Sequence, residues 1–297
     1  MSRVQSASSS KVYGVARVCT IWRIARSTLY RERRRLSGEL PPKQRRGPKQ
    51  GVLPDEALLQ EVRRSIENSP WVGEGYRKVY AELKNRGVRT SRKRVNRIMR
   101  ENGLLSPVQF RARGPRTHDG TIVTQKPDEV WGTDMTTTLT GEGNAQIFFV
   151  VDHCTAECLG IHAARRGTRF EAIEALQQAV RRSFGACREE VAPSLTVRHD
   201  NGSQFISNDY QNELRFLGIT SSPSFVRQPQ GNGCAERFVR TLKEQLLWLR
   251  RFKTTEELKE ALHDFARKYN ETWRIARHGY KSPSAQRRAL EAAAIAA

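Results

Sequence analysis

Residues 130–152 read VWGTDMTTTLTGEGNAQIFFVVD, and this stretch predicts a β-hairpin. β-branched and aromatic residues, which strands prefer, are frequent in Val130 to Thr138 and Gln146 to Asp152. The Gly-Glu-Gly-Asn segment between these two runs is typical of a hairpin turn. A lone carboxylate, Asp134, stands within the first predicted strand. The hairpin therefore places an acid on a strand of a sheet.

The chain beyond the hairpin alternates strands and helices, which indicates an α/β domain with a mixed sheet flanked by helices. Further strands are predicted at Cys158 to Ala163, Leu195 to His199 and 218–220, and helices at 168–184, 209–217, 234–250 and 255–270. A loop rich in Ser, Pro, Gln and Gly spans residues 221–233. In the helix after it, an apolar stripe is predicted to be buried, formed by Phe238, Leu242, Leu246 and Leu249.

Three lone acids fall in three different elements of this domain: Asp134 in the first strand, Asp200 after the fourth and Glu236 in a helix. Asp200 alone could mark a turn and Glu236 alone could be a surface acid. Together, in a chain of net charge +21, they are poorly explained as surface charge. Cleaving a phosphodiester needs charge shielding and a stabilised leaving oxygen, which two divalent cations about 3.5–4 Å apart can supply. Because Mg²⁺ takes oxygen ligands, the acids predict a divalent-metal pocket.

Positive charge is concentrated near the start of the chain. Residues 1–116 contain 28 Lys+Arg and 9 Asp+Glu, whereas residues 117–297 contain 24 and 22. A basic block of this size attracts polyanions through counterion release, and nucleic acid is the usual partner. A merely soluble basic surface and adhesion to anionic lipid are the alternatives. No stretch approaches the roughly 18 apolar residues of a membrane span, and the N-terminus lacks a signal-like apolar segment. We therefore expect a cytoplasmic, nucleoid-associated protein.

The basic part predicts two segments that resemble helix-turn-helix units. Two short helices are expected within 13–36, and three more at 55–67, 76–86 and 92–101, the last capped by Ser91. A helix, a turn and a basic helix are typical of DNA-binding domains, although a small bundle with a basic exterior is the alternative. The outward-facing residues expected to contact DNA are Arg92, Lys93, Asn96 and Arg97.

These patterns predict the organisation of the whole chain. The expected parts are an N-terminal helix-turn-helix-like segment (1–46), a linker (47–53), a second helix-turn-helix domain (54–116), a linker (117–126), the catalytic core with C-terminal helices (127–290) and a tail (291–297).

Five cysteines without close pair spacing argue against a disulfide framework. His153, Cys154, Cys158 and His162 form a cluster that zinc could use. Because the two cysteines fall among strand-forming residues, we favour buried structural cysteines at these positions.

Several motifs resemble those of a known family. They are Trp131-x-x-Asp134, His199-Asp200-Asn201-Gly202-Ser203-Gln204-Phe205, Pro229-Gln230-Gly231-Asn232-Gly233-x-x-Glu236-Arg237 with Lys243 beyond it, Gly75-Tyr76-Arg77-Lys78-Val79, Ser91-Arg92-Lys93-Arg94-Val95-x-Arg97-Ile98-Met99, Tyr269-Asn270 and His278-Gly279-Tyr280-x-Ser282-Pro283. The core motifs resemble the retroviral-integrase superfamily. The set as a whole resembles bacterial insertion-sequence transposases encoded by a second reading frame. Trp273 departs from the family, where Arg is commoner at this position.

The resemblance implies an RNase H-like fold in which Asp134, Asp200 and Glu236 are the catalytic DDE residues and hold Mg²⁺ or Mn²⁺, with two ions expected. It implies that water cleaves the element end and that the freed 3′-OH then attacks another phosphodiester. The 221–233 loop is expected near the DNA end. Residues expected to contact DNA around the site are Asn232, Arg237, Arg240 and Lys243.

The implied partners are double-stranded DNA, as terminal inverted repeats and as target, further copies of the chain assembled on DNA, and an upstream-frame product. Two other functions fit the same residues. One is a DNA-binding regulator built on an inactive core, and the other is a nuclease that acts by hydrolysis alone.

Overall fold

A computed structural model describes residues 4–7, 9–40, 53–107, 124–223 and 232–296. The chain divides into two compact units, Met1–Val52 and Leu53–Ala297. Most of the loop predicted at 221–233 and most of the linker predicted at 117–126 lie outside the described residues. Within the described ranges, no helix is both long and apolar enough to cross a membrane.

The first unit contains two helices, α1 (Val15–Ile21) and α2 (Arg26–Leu36), as the sequence predicts. Cys19 on α1 is buried, whereas α2 has no buried residue. Three arginines lie in the last turn of α2, where positive charge is favourable to the helix dipole. The basic run thus forms a solvated helix end.

The second unit begins with three helices, α3 (Asp55–Glu67), α4 (Tyr76–Asn85) and α5 (Arg92–Glu101). The Ser91 hydroxyl accepts a hydrogen bond from the backbone N–H of Arg94, so the predicted cap of α5 is confirmed. Apolar side chains from all three helices form one small core, made of Leu58, Val62, Val79, Leu83, Val95, Ile98 and Met99. Arg92, Lys93, Arg97 and Arg100 are exposed on α5, whereas the Arg94 side chain is largely buried and pairs with Asp55 of α3.

The sheet that follows has five strands: β1 (Val130–Thr140), β2 (Gly143–Asp152), β3 (Cys158–Ala164), β4 (Thr196–His199) and β5 (Thr220–Pro223). Their order across the sheet is β3-β2-β1-β4-β5. The first three strands pair antiparallel, and β1, β4 and β5 pair parallel. The mixed sheet is confirmed, and the fifth strand begins at the last residue of its predicted range.

Helices cover both faces of the sheet. Helices α6 (Arg169–Phe184) and α8 (Asn208–Phe216) lie on one face, with the short α7 (Ser203–Ile206) before α8. Helices α9 (Gly233–Leu242) and α10 (Thr255–Thr272) lie on the other. Because side chains of β2 alternate, Phe148 packs towards α6 while Phe149 packs on Phe238 of α9. A last helix, α11 (Pro283–Ile295), follows α10.

The helix predicted at 234–250 is interrupted. The α-helix α9 ends at Leu242, and a π-helical turn spans Lys243–Leu247. A π turn contains one residue more than an α-helical turn, so residues beyond it change face. Leu247 is therefore buried, whereas Leu249 is exposed. The prediction that Leu249 completes the buried stripe is wrong, because a period of 3.6 residues does not hold across the π turn.

The three-helix part and the sheet part are joined by close contacts. Trp71 is buried against Phe265 and Trp273, and its indole N–H donates to Thr272 Oγ1 at 3.0 Å. The Lys78 ammonium lies 3.0 Å from the ring centroid of Trp273, and burial lowers the pKa of Lys78 to about 8. Trp273, the position that departs from the family, thus belongs to this contact.

Two hydrogen bonds from the Asn270 side chain link α10 to the edge strand β3. Its side-chain Oδ1 accepts from the Cys158 N–H at 2.8 Å, and its Nδ2 donates to the Cys158 carbonyl at 2.7 Å. The side chain is almost fully buried. The Asn270 amide therefore satisfies both the N–H and the C=O of Cys158 at the edge of the sheet. This pair of hydrogen bonds explains why the Tyr269-Asn270 motif contains Asn.

Replacing Asn270 by Leu should lower the free energy of unfolding by about 2–4 kcal/mol, because the N–H and C=O of Cys158 would be buried without partners. Urea unfolding of the full chain measures this loss. The neighbouring exposed Glu271 is the control, since Glu271→Ala should change stability by less than about 0.5 kcal/mol. Equal stability of the Asn270→Leu protein and the wild type would contradict the role of the amide.

Candidate active site

Asp134 lies on β1, and Asp200 is the residue directly after the neighbouring strand β4. Strands β1 and β4 are parallel, with Gly132 opposite Arg198. Asp134 is two residues after Gly132, and Asp200 is two residues after Arg198. If the register of the two strands continues, the two acids lie next to each other. The charge of Asp200 contributes to the raised pKa of Asp134, so the two carboxyl groups lie within range of electrostatic interaction.

Glu236 comes from the helix that covers this face of the sheet. Asp134 is paired with Phe149 across β1 and β2, and paired residues point to the same face. Phe149 packs on Phe238 of α9, with ring centroids 4.9 Å apart. Glu236 stands two residues before Phe238 and lies in the same cleft as Asp134. The acids of strand and helix are thus brought together by the packing of α9 on the sheet.

Asn232 holds the start of α9 against β1. Its Nδ2 donates to the Thr133 carbonyl at 2.9 Å, and the residue is 7% exposed. A Cβ on Gly132 would come within 2.5 Å of Asn232 Oδ1 and 2.8 Å of His153 Nε2, so this strand position requires glycine. The expected DNA contact by Asn232 conflicts with this arrangement, because the amide points into the protein interior.

A cleft of about 320 Å³ opens beside these acids. It is lined by Asp134, Glu236, Val239, Arg240, Lys243 and Trp248. Arg240 is exposed and Lys243 is half-buried, so carboxylates and cations line the same cleft. Such a site can take a phosphate between cations and metal-binding oxygens.

Asp200 is exposed and held by its own loop. Its Oδ1 accepts from the Gly202 N–H at 2.9 Å, and its carbonyl accepts from His199 Nδ1 at 2.7 Å. The Ser221 hydroxyl lies 2.9 Å from His199 Nε2. Burial lowers the pKa of His199, with Asp200 opposing the shift, so the imidazole is neutral near pH 7. Both the turn and the histidine fix Asp200 at the end of β4.

The acids influence one another electrostatically. Burial, together with the charges of Asp200 and Glu236, raises the pKa of Asp134 to about 6. The Met135 N–H, which donates to Asp134 at 2.8 Å, and the Lys243 charge act in the opposite direction. A raised pKa means that the ionised form of the carboxyl group is disfavoured, and a bound cation would stabilise that form.

Three carboxylates on converging elements are the oxygen donors that a hard divalent cation prefers, so the residues fit Mg²⁺ or Mn²⁺. In the part of the chain that the structure describes, no three His, Cys, Asp or Glu side chains already stand close enough to hold a metal ion. Asp134 and Glu236 line the cleft, and Asp200 is not among its lining residues. The zinc alternative gains no support either, since His162 is engaged with Glu171 at 2.6 Å and Cys158 is buried.

The remaining predicted DNA contacts lie in two places. Arg237 is exposed on α9 near the cleft residues, whereas Arg92, Lys93, Asn96 and Arg97 lie on α5. Arg97 pairs with Asp55 at 2.6 Å and with Glu101 at 3.0 Å. Its charge is partly neutralised within the protein, which makes it a weaker candidate than Arg92 and Lys93, both exposed.

Two features of the site were not predicted from the sequence. Trp248 lines the cleft, although the helical pattern gave it no role. Asn232 lies close to Gly132 and His153, where a larger residue than glycine at position 132 would collide with it. The Gly in Trp131-Gly132-Thr133-Asp134 was a signal for the second feature, since glycine inside a strand often marks a close approach.

Comparison with known proteins agrees with this architecture. An HTH-like domain family matches residues 54–112, and integrase core domain families match residues 124–229 and 217–283. The transposase for insertion sequence element IS629 of Shigella sonnei is 26% identical over 94% of this chain and 93% of its own. Transposase InsD of insertion element IS2 from Escherichia coli is 28% identical, covering 91% and 90%.

The catalytic core domain of BIV integrase is a structural relative, with a TM-score of 0.42 and 20% identity over 57% of this chain and 99% of that one. The integrase core matches and the five-stranded mixed sheet with helices on both faces confirm the RNase H-like fold class.

The raised pKa of Asp134 gives a pH-dependent prediction for the metal-free protein. The folded state binds the Asp134 proton more tightly than the unfolded state, so ionisation costs stability as the pH rises from about 4 through 6. Asp134→Asn removes that cost. The variant should be more stable than wild type by on the order of 2 kcal/mol at pH 8, with the difference vanishing near pH 4.

Urea unfolding in EDTA at several pH values tests this. Adding Mg²⁺ at pH 8 should then stabilise the wild type and leave the Asp134→Asn protein nearly unchanged, because the cation binds the folded wild type alone. If the Asp134→Asn protein is less stable than wild type at pH 8, the pKa of Asp134 is not raised by folding.

Proposed function

The chain belongs to the integrase-core transposases of insertion sequences, and we propose that it binds the ends of a mobile DNA element and catalyses DNA cleavage and strand transfer there. One observation carries the proposal. Asp134 and Asp200 each stand two residues beyond the paired residues Gly132 and Arg198, and Glu236 lines one cleft with Asp134 and two cations. Acids and cations in one cleft suit a phosphodiester that must be both bound and cleaved.

Asp134, Asp200 and Glu236 would hold Mg²⁺ or Mn²⁺, which supplies charge for the leaving oxygen and activates the attacking hydroxyl. The chain's own residues do the rest. Asp134 releases its proton before it can act as a ligand. Lys243 and Arg240 neutralise phosphate oxygens beside the acids. Asn232 fixes the start of α9, so that Glu236 stays opposite β1.

The proposed reaction has two displacements at phosphorus. In the first, a water oxygen bonds to phosphorus, the bond to the 3′ oxygen breaks, and a free 3′-OH results. In the second, that 3′-OH bonds to a phosphorus of target DNA and another P–O bond breaks. Each step forms one P–O bond and breaks one, so it needs no oxidant and no covalent intermediate with the protein.

We further propose that α5 and its neighbours bind the terminal repeats of the element. Arg92 and Lys93 are exposed at the start of the helix, and the Arg92 guanidinium lies 5.9 Å from the Tyr80 ring centroid. Assembly of several copies on DNA and cooperation with an upstream-frame product belong to the same proposal. A protein that acts on chromosomal and element DNA works where that DNA lies, which is the cytoplasmic nucleoid.

Replacing one acid at a time tests the proposed chemistry. Asp134→Asn, Asp200→Asn and Glu236→Gln should each lower Mg²⁺-dependent cleavage and joining by more than about 10²-fold, since even groups that only orient metal ligands cost 10–100-fold when lost. Affinity for DNA should remain. The assay uses a duplex with the element end, taken from the DNA that flanks the coding sequence, and resolves cleaved and joined products.

Glu260→Gln, on the exposed side of α10, is the matched control and should keep full activity. Joining at wild-type rate by any of the three acid variants would refute the assignment. Cleavage without joined products in the wild type would favour the hydrolytic nuclease, and DNA binding without either product would favour the regulator.

Charge replacement on α5 tests the proposed DNA-binding helix. Lys93→Ala should weaken binding to duplex DNA and reduce the slope of log K against log salt by about 1, because one phosphate contact is lost. Arg97→Ala should reduce the slope less, since Asp55 and Glu101 already pair with that guanidinium. Arg267→Ala on α10 removes the same charge elsewhere as a control. Equal slopes for the Lys93 variant and the control would contradict a role for α5.

A further inference from the structure

We infer that Trp248 is a stacking platform for an unpaired base at the end of the DNA strand held in the cleft. This inference rests on the proposed function, because it assigns a specific contact of the DNA within the same site. Four observations carry it: exposure, position, the π turn and the charge of the neighbouring residues.

Trp248 is 66% exposed, which is unusual for the largest apolar side chain. Other exposed aromatic residues exist, such as Trp22, and a single exposed aromatic on a convex surface has no special meaning. Trp248 differs because it lines a concave site together with Asp134 and Glu236. An aromatic face open to solvent in a cleft with phosphate-binding groups is suited to a nucleobase.

The π turn is what brings Trp248 to this side. Glu236, Arg240 and Lys243 follow one another on one side of the helix at spacings of four and three residues. Regular continuation would place Leu247 next on that side. The extra residue of the π turn instead buries Leu247, and Trp248 takes the place beside the cations. Single π turns of this kind are frequent at functional sites.

The turn is held from both sides. The Trp248 N–H donates to the Lys243 carbonyl at 2.9 Å, the bond that closes the wider turn. Gln245, in the middle of the turn, accepts from the Val72 N–H at 2.8 Å and donates to the Val72 carbonyl at 3.0 Å. Leu247 is packed in the core. The direction of Trp248 is therefore fixed by contacts with two other parts of the unit.

The charged residues beside Trp248 indicate which ligand the cleft can bind. Arg240 and Lys243 can bind backbone phosphates, while the indole offers a π face that takes any base. Both faces of a base inside a duplex are already stacked, so the indole can take only a base at the end of the duplex or beyond it, and an unpaired base offers it the most freedom to enter the cleft. A cleft of about 320 Å³ is also the size of a small-ligand site rather than of a duplex groove. A frayed strand end fits these conditions.

The test uses the full chain, Ca²⁺ in place of Mg²⁺ to limit cleavage, and two DNA probes. One is a short duplex that ends in a few unpaired nucleotides, the first of them 2-aminopurine, and the other is the same duplex fully paired. Wild type should prefer the forked probe and quench its fluorescence by stacking. Trp248→Ala should bind the forked probe about tenfold more weakly, bind the paired duplex as wild type does, and leave the fluorescence unquenched.

Trp248→Phe should recover part of the affinity and quenching, because it keeps an aromatic face. Leu249→Ala, at the adjacent exposed residue, should behave as wild type. Equal binding and quenching of the forked probe by wild type and Trp248→Ala would overturn the inference and leave the proposed function standing. A loss by Trp248→Ala that is equal for both probes would also overturn it. If wild type binds neither probe, the proposed function itself fails.

Discussion

Asp134 lies on β1, Asp200 directly follows the parallel strand β4, and Glu236 lies on α9 in the same cleft as Asp134. Burial of Asp134, together with repulsion from the charges of Asp200 and Glu236, raises its pKa to about 6. The fold must keep the acids together against that repulsion. Much of the surrounding structure can be understood as the means by which it does so.

The means are hydrogen bonds and packing that do not depend on the acids themselves. Asn232 bonds to the Thr133 carbonyl beside Asp134, and this approach is possible because Gly132 has no side chain. On the same face, Phe149 of β2, the cross-strand partner of Asp134, packs on Phe238 of α9, the helix that carries Glu236. The positions of the acids are therefore set by neighbours whose own contacts are favourable.

The π turn places Trp248 in the cleft, and it also connects the three-helix part of the second unit to the sheet part. Gln245 within it bonds to the backbone of Val72, in the segment that leads from α3 to α4. The three-helix part and the cleft thus meet at one turn. Arg274, which pairs with Glu82, and Trp273, which lies against Lys78, complete that junction.

The sequence by itself determined the elements and the chemistry. Strand and helix periodicity predicted the hairpin, the mixed sheet and α3 to α6 closely, because local hydrogen bonding and alternating burial leave a pattern in a short stretch of residues. The residue types of Asp134, Asp200 and Glu236 pointed to a cation, and the basic N-terminal part pointed to DNA. Tertiary structure alone decided the burial of Asn232, the pairing of Arg97 with Asp55 and the π turn that exposes Trp248. Each of these depends on a partner distant in the chain, as Val72 is from Gln245, and such a contact leaves no periodic trace in the local sequence.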